Sequence, residues 1–176
     1  MLLDPQEIIA ALNELADALD ADEVHARINV VGGMAIAITR TDRGLTHDVD
    51  ASLYPAPEIL EHARRIAERR GWPDTWLNND VRMHCSDYDH LAVWTTIIER
   101  ETVVVQVAPA DLLLAMKLKA GRGSRDAGDI DWLLDQCEIT SASAAATVFD
   151  TYYPQDEISP RARAQLSARF GANPGD

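Results

Sequence analysis

The spacing of apolar positions changes repeatedly along the chain, and each change marks an element. Ile8, Ile9, Leu12, Leu15, Ala16 and Leu19 recur at helical spacing, with Asp4 placed to cap the helix and Pro5 at its first position. "RINVV" is a short apolar strand ending at Gly32-Gly33, and "MAIAI" begins a helix behind it. "LTHDVDASL" alternates polar and apolar residues, the mark of a half-buried strand. "APEILEHARRIAERRG" is an amphipathic helix stopped by Gly71 and Pro73. "LAVWTTIIE" and "ETVVVQVA" predict two strands joined by a tight turn near Arg100. Helices follow over "PADLLLAMKLKAG", between Pro109 and Gly121, then over "RDAGDIDWLLDQ", "SASAAATVFDTYY" and "SPRARAQLSARF". "GANPGD" reads as a frayed tail.

This order predicts an α/β (α+β) arrangement: a small mixed sheet with flanking helices, followed by a helical C-terminal part. The expected division is a domain over 1–138, with a helical extension over 139–176 packed on it. At 176 residues and 47% hydrophobic content, a sizeable core is available to one domain with an appendage. Runs such as "LLLAM" and "LAVWTTII" are far too short to span a bilayer, so no membrane partner is expected. "MLLDPQE" has no basic region followed by an apolar stretch, which speaks against a signal peptide. Cys85 and Cys137 form no C-x-x-C, and isolated thiols suit a reducing cytoplasm.

The net charge of −13 changes the picture most. A chain this acidic repels a long phosphate backbone as a whole. A nucleotide is still compatible with it, because a bound divalent ion and a few local bases dominate a small site. The same surface would also face a basic partner protein.

The candidate chemistry lies in "VVGGMAIAITRTDRGLTHDVDA". On a strand, residues two apart share a face, so Asp48 and Asp50 stand side by side while Val49 points into the core. Two such carboxylates repel unless a cation lies between them, and Mg²⁺ takes one or two carboxylates together with substrate phosphates. Gly32 and Gly33 let backbone amides approach an anion where a helix begins. A phosphate cradle beside a metal pair is what phosphoryl or nucleotidyl transfer needs. Read separately, a Gly-Gly is a plain turn, and a D-x-D is a solvated edge.

With these residues in view, the segment resembles the signature of the nucleotidyltransferase superfamily related to DNA polymerase β, in which a G-G or G-S turn precedes a metal-binding D-x-D strand. More narrowly, "RGLTHDVDA", "WLNND" and "LLAMKLKAGRGSRDAGDIDWLL" together resemble small bacterial nucleotidyltransferase-fold proteins of the AbiEii-like type, over roughly residues 28 to 135. The resemblance implies the nucleotidyltransferase fold, Mg²⁺ as cofactor and an NTP as substrate. It implies transfer of NMP to a tRNA or protein hydroxyl, in a toxin–antitoxin or phage-defence setting with a cognate antitoxin or partner protein. By the same resemblance Asp48 and Asp50 hold the metal, and Gly32 and Gly33 approach the phosphates. Arg43 and Thr46 serve the phosphate side, Lys117 contacts the triphosphate, Asp126 acts as base or orients the acceptor, and Asp129 is the second acid of that block.

Each assignment has a plainer counterpart. Asp126 and Asp129 suit the first turn of a helix on dipole grounds alone. Lys117 and Lys119 suit a surface where lysine stems cover apolar side chains. Arg43 and Thr46 suit a loop shaped by local hydrogen bonds. "WLNND" reads as a packed tryptophan and a turn, with Asn78 and Asn79 as lesser candidates for the site. Arg122 and Arg125 in "RGSR" either attract an acceptor's phosphates or form a solvated helix junction. His84, Cys85, Asp87, Asp89 and His90 are metal-capable types without zinc spacing, and they read as a polar loop.

One departure stands out. The superfamily's third carboxylate lies on a later strand, where "TVVVQVA" offers Gln106. An amide is neither a base near neutral pH nor a strong metal ligand. Either Asp126 supplies the acid, or the protein is a weakly active or inactive binding and regulatory partner.

Overall fold

The computed structural model describes residues 1–40, 44–83, 88–121 and 124–171, without the side chains of 82, 83 and 124–126. These residues form an α+β fold of seven α-helices and one five-stranded mixed sheet. They group into two compact units, one of Met1–His84 with Trp94–Ala108, the other of Cys85–Val93 with Pro109–Asp176.

In the first unit the helices are α1 (Pro5–Ala21), α2 (Gly32–Thr39) and α3 (Ala56–Arg70). The strands are β1 (Ala26–Val30), β2 (Val49–Tyr54), β3 (Leu77–Asn78), β4 (Thr95–Glu99) and β5 (Val103–Val107). Their order across the sheet is β3-β2-β1-β5-β4. β1 runs antiparallel to β2 and parallel to β5, β3 lies parallel to β2, and β4 returns antiparallel to β5.

The register assigns each face its chemistry. Ile28 sits between Leu53 and Val105, and Val30 between Ala51 and Val107, all of them buried. Against them pack α1, through Ile8, Leu12, Leu15 and Leu19, and α3, through Ile59, Ala63 and Ile66. Each fully buried Leu or Ile contributes about 2 kcal/mol relative to exposure. The alternate positions form a polar face: Asn29 lies between Ser52 and Gln106, Thr96 pairs with Gln106, and Asp50 pairs with Asn78.

Local sequence explains the boundaries. The Asp4 carboxylate accepts from the Gln6 N–H at 2.7 Å and caps α1. α3 stops at Gly71, which is left-handed at φ 65°. Between α1 and α3 the carboxylate of Glu14 is held by both Arg69 and Arg70.

β3 and its surroundings differ from the turn expected for "WLNND". Trp76 is fully buried, its indole N–H donates to Ala63 O at 2.9 Å, and its own carbonyl accepts from Val49 N–H at 2.7 Å. Those bonds hold Leu77 and Asn78 alongside β2 as a short strand.

The second unit holds α4 (Ala110–Ala120), α5 (Ser124–Gln136), α6 (Ala142–Tyr152) and α7 (Pro160–Phe170). α4 packs on the other three, and Leu112, Leu113, Leu114, Ala115 and Leu118 are its buried positions. α4 and α5 thus pack in one unit with α6 and α7. α4 ends at Gly121, at φ 56°. A Cβ there would lie 2.1 Å from Ser159 Oγ, whose hydroxyl donates to Leu118 O and whose oxygen caps α7. The Tyr152 hydroxyl donates to Asp111 Oδ2 at 2.8 Å, linking α6 to α4. Burial and the Asp111 carboxylate push the Tyr152 hydroxyl well above its ordinary range, and they push the Cys137 thiol up to about 11. No described helix is long and apolar enough to cross a membrane.

Candidate functional site

The site is built where β1 hands the chain to α2 and β2 runs beside it. Val31 is extended, and its N–H donates to Asp50 O at 2.9 Å. The next residue, Gly32, turns left-handed at φ 65° and opens α2. A Cβ on Gly32 would lie 2.6 Å from Asp50 Oδ2 and 3.2 Å from Asp50 Cβ. Glycine is therefore required twice, by its backbone angle and by the carboxylate against it. Its missing side chain makes room for Asp50. Gly33 is the second residue of α2, where helix N–H groups are available to an anion.

On β2 the alternation holds: Val49 is buried, while Asp48 and Asp50 on either side are half-buried. Asp48 directly precedes β2, and Asp50 is its second residue, paired with Asn78 of β3. Thr46 precedes them in a two-way backbone bridge with Leu3, at 2.7 and 3.0 Å. Its hydroxyl donates to Asp48 O at 3.2 Å, a bond that shapes the approach to the strand. From the neighbouring β3, Asn78 Nδ2 lies 3.5 Å from Asp48 Oδ2. Arg43 lies outside the described residues.

Lys117 and Asp129 belong to the helical unit, and the structure brings them to each other. Lys117 on α4 and Asp129 on α5 form an ion pair at 2.9 Å, with side-chain exposures of 14% and 9%. Lys119 behaves as a surface lysine: its ammonium pairs with Asp156 at 2.8 Å and lies 4.2 Å from the Tyr153 ring centre. Asp126 is the third residue of α5, and its side chain lies outside those described, as does that of Arg125. Arg122, His84, Cys85 and Asp87 also lie outside the described residues. Asp89 and His90 occupy a single 3-10 turn, Asp89–Leu91.

Gln106 stands on the polar face of β5, where its amide donates to Thr96 Oγ1 at 3.2 Å. Its neighbour Asn29 keeps a buried Oδ1 with no hydrogen-bond partner among the described residues. Glu99 ends β4 at the hairpin, and Glu101 is an exposed residue of the turn itself.

Two neighbouring carboxylates offer hard oxygen donors of the kind Mg²⁺ accepts. Among the described residues, no three His, Cys, Asp or Glu side chains gather as a metal-binding group. A divalent ion held by Asp48 and Asp50 would complete its shell with water and phosphate oxygens, the usual habit of Mg²⁺. Asn78 and Asn29 are the polar residues that sequence reasoning undervalued. Asn78 had one signal, its N-N-D setting after a buried tryptophan, which favours a side-chain-stabilised turn.

Fold and site together define an α+β protein with paired carboxylates at a strand–glycine–helix junction. Comparison with protein-family models, with curated proteins and with solved structures finds no match.

Proposed function

We propose that the protein is a Mg²⁺-dependent nucleotidyltransferase that moves NMP from an NTP to a hydroxyl of a tRNA or protein. The observation that carries this reading is the Asp48/Asp50 pair, half-exposed at the start of β2, with Asp50 lodged against a glycine that opens a helix. Like charges placed so closely on a surface strand favour a cationic ligand. The adjoining α2 N-terminus favours an anionic one.

In this reading the acceptor oxygen attacks the α-phosphorus, the bond to the bridging oxygen breaks, and pyrophosphate leaves. The chemistry a bound Mg²⁺ would supply is neutralisation of phosphate charge. Asp48 and Asp50 hold it through carboxylate oxygens, and the amides at Gly33 bind phosphate. The acceptor's proton passes to a carboxylate, for which Asp126 is the sequence's candidate. The setting the resemblance suggests, a toxin–antitoxin or phage-defence pair with a cognate partner protein, belongs to the same proposal.

A second reading has its own support. Gln106 and Thr96 occupy the polar face of β5 and β4, so a third acid is missing from that position. A protein so built would bind Mg²⁺–NTP without turnover and act as a regulatory partner.

Incubation with each α-³²P-labelled NTP and Mg²⁺, with and without tRNA and cell lysate, separates the two. Label transferred by wild type and not by Asp48→Ala/Asp50→Ala supports the enzyme, and the labelled band names the acceptor class. Mg²⁺-dependent NTP binding without transfer supports the partner. Absence of both rejects both.

A further inference from the structure

We propose that His62 is a proton-operated clasp between α1 and α3, closed only while both of its ring nitrogens carry hydrogen; it is independent of the chemistry proposed for Asp48 and Asp50. The ring stands between two oxygens. Nδ1 lies 2.9 Å from Glu58 O, one turn earlier on the same helix. Nε2 lies 2.9 Å from Asp22 Oδ2, at the C-terminal end of α1. A backbone carbonyl and an ionised carboxylate only accept hydrogen bonds, so each nitrogen must donate. A neutral imidazole has one N–H and serves one of the two oxygens, whereas the imidazolium serves both. In a neutral ring one lone pair would face an oxygen at hydrogen-bond distance. With a side-chain exposure of 12%, the ring has little water to turn to instead.

The end of α1 explains why a cation belongs here. Asp17, Asp20 and Asp22 lie at this end, the last turn holds no basic residue, and the helix dipole disfavours anions there. Each acid is answered from another element. Asp17 meets Arg100 at 2.6 Å, and Asp20 accepts from Thr102 N–H and Oγ1 at 2.7 and 2.8 Å. Asp22 meets His62. α3 packs on α1, β2 and β3. The buried positions of those two strands, Val49, Ala51, Leu53 and Leu77, do not titrate. On α3 itself Glu58 and Arg65 lie one turn to either side of the ring; both are exposed, and Arg65 pairs with Glu61 at 3.3 Å. Glu23, next to Asp22 in the chain, is exposed as well. The clasp therefore adds stability while the ring is protonated and gives it up as pH rises through the range in which histidine changes charge, about pH 5 to 8. Its sign is opposite to that of Glu14 and Asp20, whose carboxyls are held below their ordinary range.

A double-mutant cycle on the full chain, with His62→Phe, Asp22→Ala and the two combined, reads the clasp through urea unfolding. The cycle is run at about pH 5.5 and about pH 8.5, toward the two ends of the histidine range. Coupling of about threefold in the unfolding equilibrium constant is expected at the lower pH, the size of an ordinary ion pair, and none at the higher. A second measurement needs no variant and decides the matter if His62→Phe does not fold. In ¹⁵N–¹H spectra of wild type at the lower pH, both ring N–H protons of His62 should be visible, because each is hydrogen-bonded and exchanges slowly; an imidazolium open to water loses its signals to exchange. Equal coupling at the two pH values, no coupling at the lower one, or fewer than two ring N–H signals there overturns the clasp.

Discussion

In the sheet unit two carboxylates of like charge, Asp48 just before β2 and Asp50 within it, are half-buried. In the helical unit Lys117 and Asp129, of opposite charge, lie 2.9 Å apart and are mostly withdrawn from solvent. The second pair is neutral as a unit, and removing one member is what would cost stability. The first pair sets two like charges two residues apart at the start of a strand. Mutual neutralisation accounts for withdrawing Lys117 and Asp129 from solvent together. It does not explain why the chain places Asp48 beside Asp50 and then reserves a left-handed glycine for Asp50 to lie against.

The contrast can be broken by mutation. Asp129→Ala should lower stability by about 3–5 kcal/mol, read by urea unfolding, because it strips this carboxylate from a mostly buried ammonium. Lys117→Met/Asp129→Leu should recover most of that loss, since apolar replacement of a buried pair is often neutral. A single-variant loss well under 1 kcal/mol would contradict the assigned burial. Gly32→Ala comes next, at about 1–3 kcal/mol of backbone strain, and on the proposed function it would also weaken Mg²⁺ binding as the Asp50 carboxylate is pushed aside. A variant that unfolds and titrates like wild type would show that Asp50 has room to spare.

Asp48→Asn/Asp50→Asn should leave stability within about 0.5 kcal/mol of wild type, because it leaves the apolar core untouched. The same variant should lose any Mg²⁺-dependent rise in melting temperature. A strongly destabilised double Asn variant would make the pair structural and end the contrast. The smallest effect concerns pH. Hydrogen bonds from Arg69, with Arg70 beside it, hold the Glu14 carboxyl below its ordinary range, and bonds from Thr102 do the same for Asp20. The unfolded chain takes up these protons first, so their contribution is full at neutral pH and is lost as pH falls below about 5. Glu14→Gln should therefore show a slightly shallower fall of melting temperature between neutral and acidic pH, by circular dichroism.

What the sequence made legible follows from range. α1 was readable because its cap, its proline and its apolar stripe all lie within one local window. β2 was readable because six residues are enough to display alternation. β3 has two residues, and two residues have no period; a buried tryptophan and side-chain amides create it, and these act across the fold. Gln106 was recognisable as an amide at a notable strand position, but its bond to Thr96 depends on the β4–β5 register. Lys117 and Asp129 were both singled out, yet nothing local pairs them. They lie on separate helices, and only the packing of α4 on α5 makes them partners.

The burial of Trp76 also gives the protein an internal light source. Its ring is excluded from water, and Trp72 meets it edge-on at 5.5 Å between ring centres. Two residues further along the same segment stands Asn78. The sequence has two more tryptophans, Trp94 and Trp132, so with both replaced by Phe the emission of this indole pair would report on shifts of the β2–β3 edge without an attached dye.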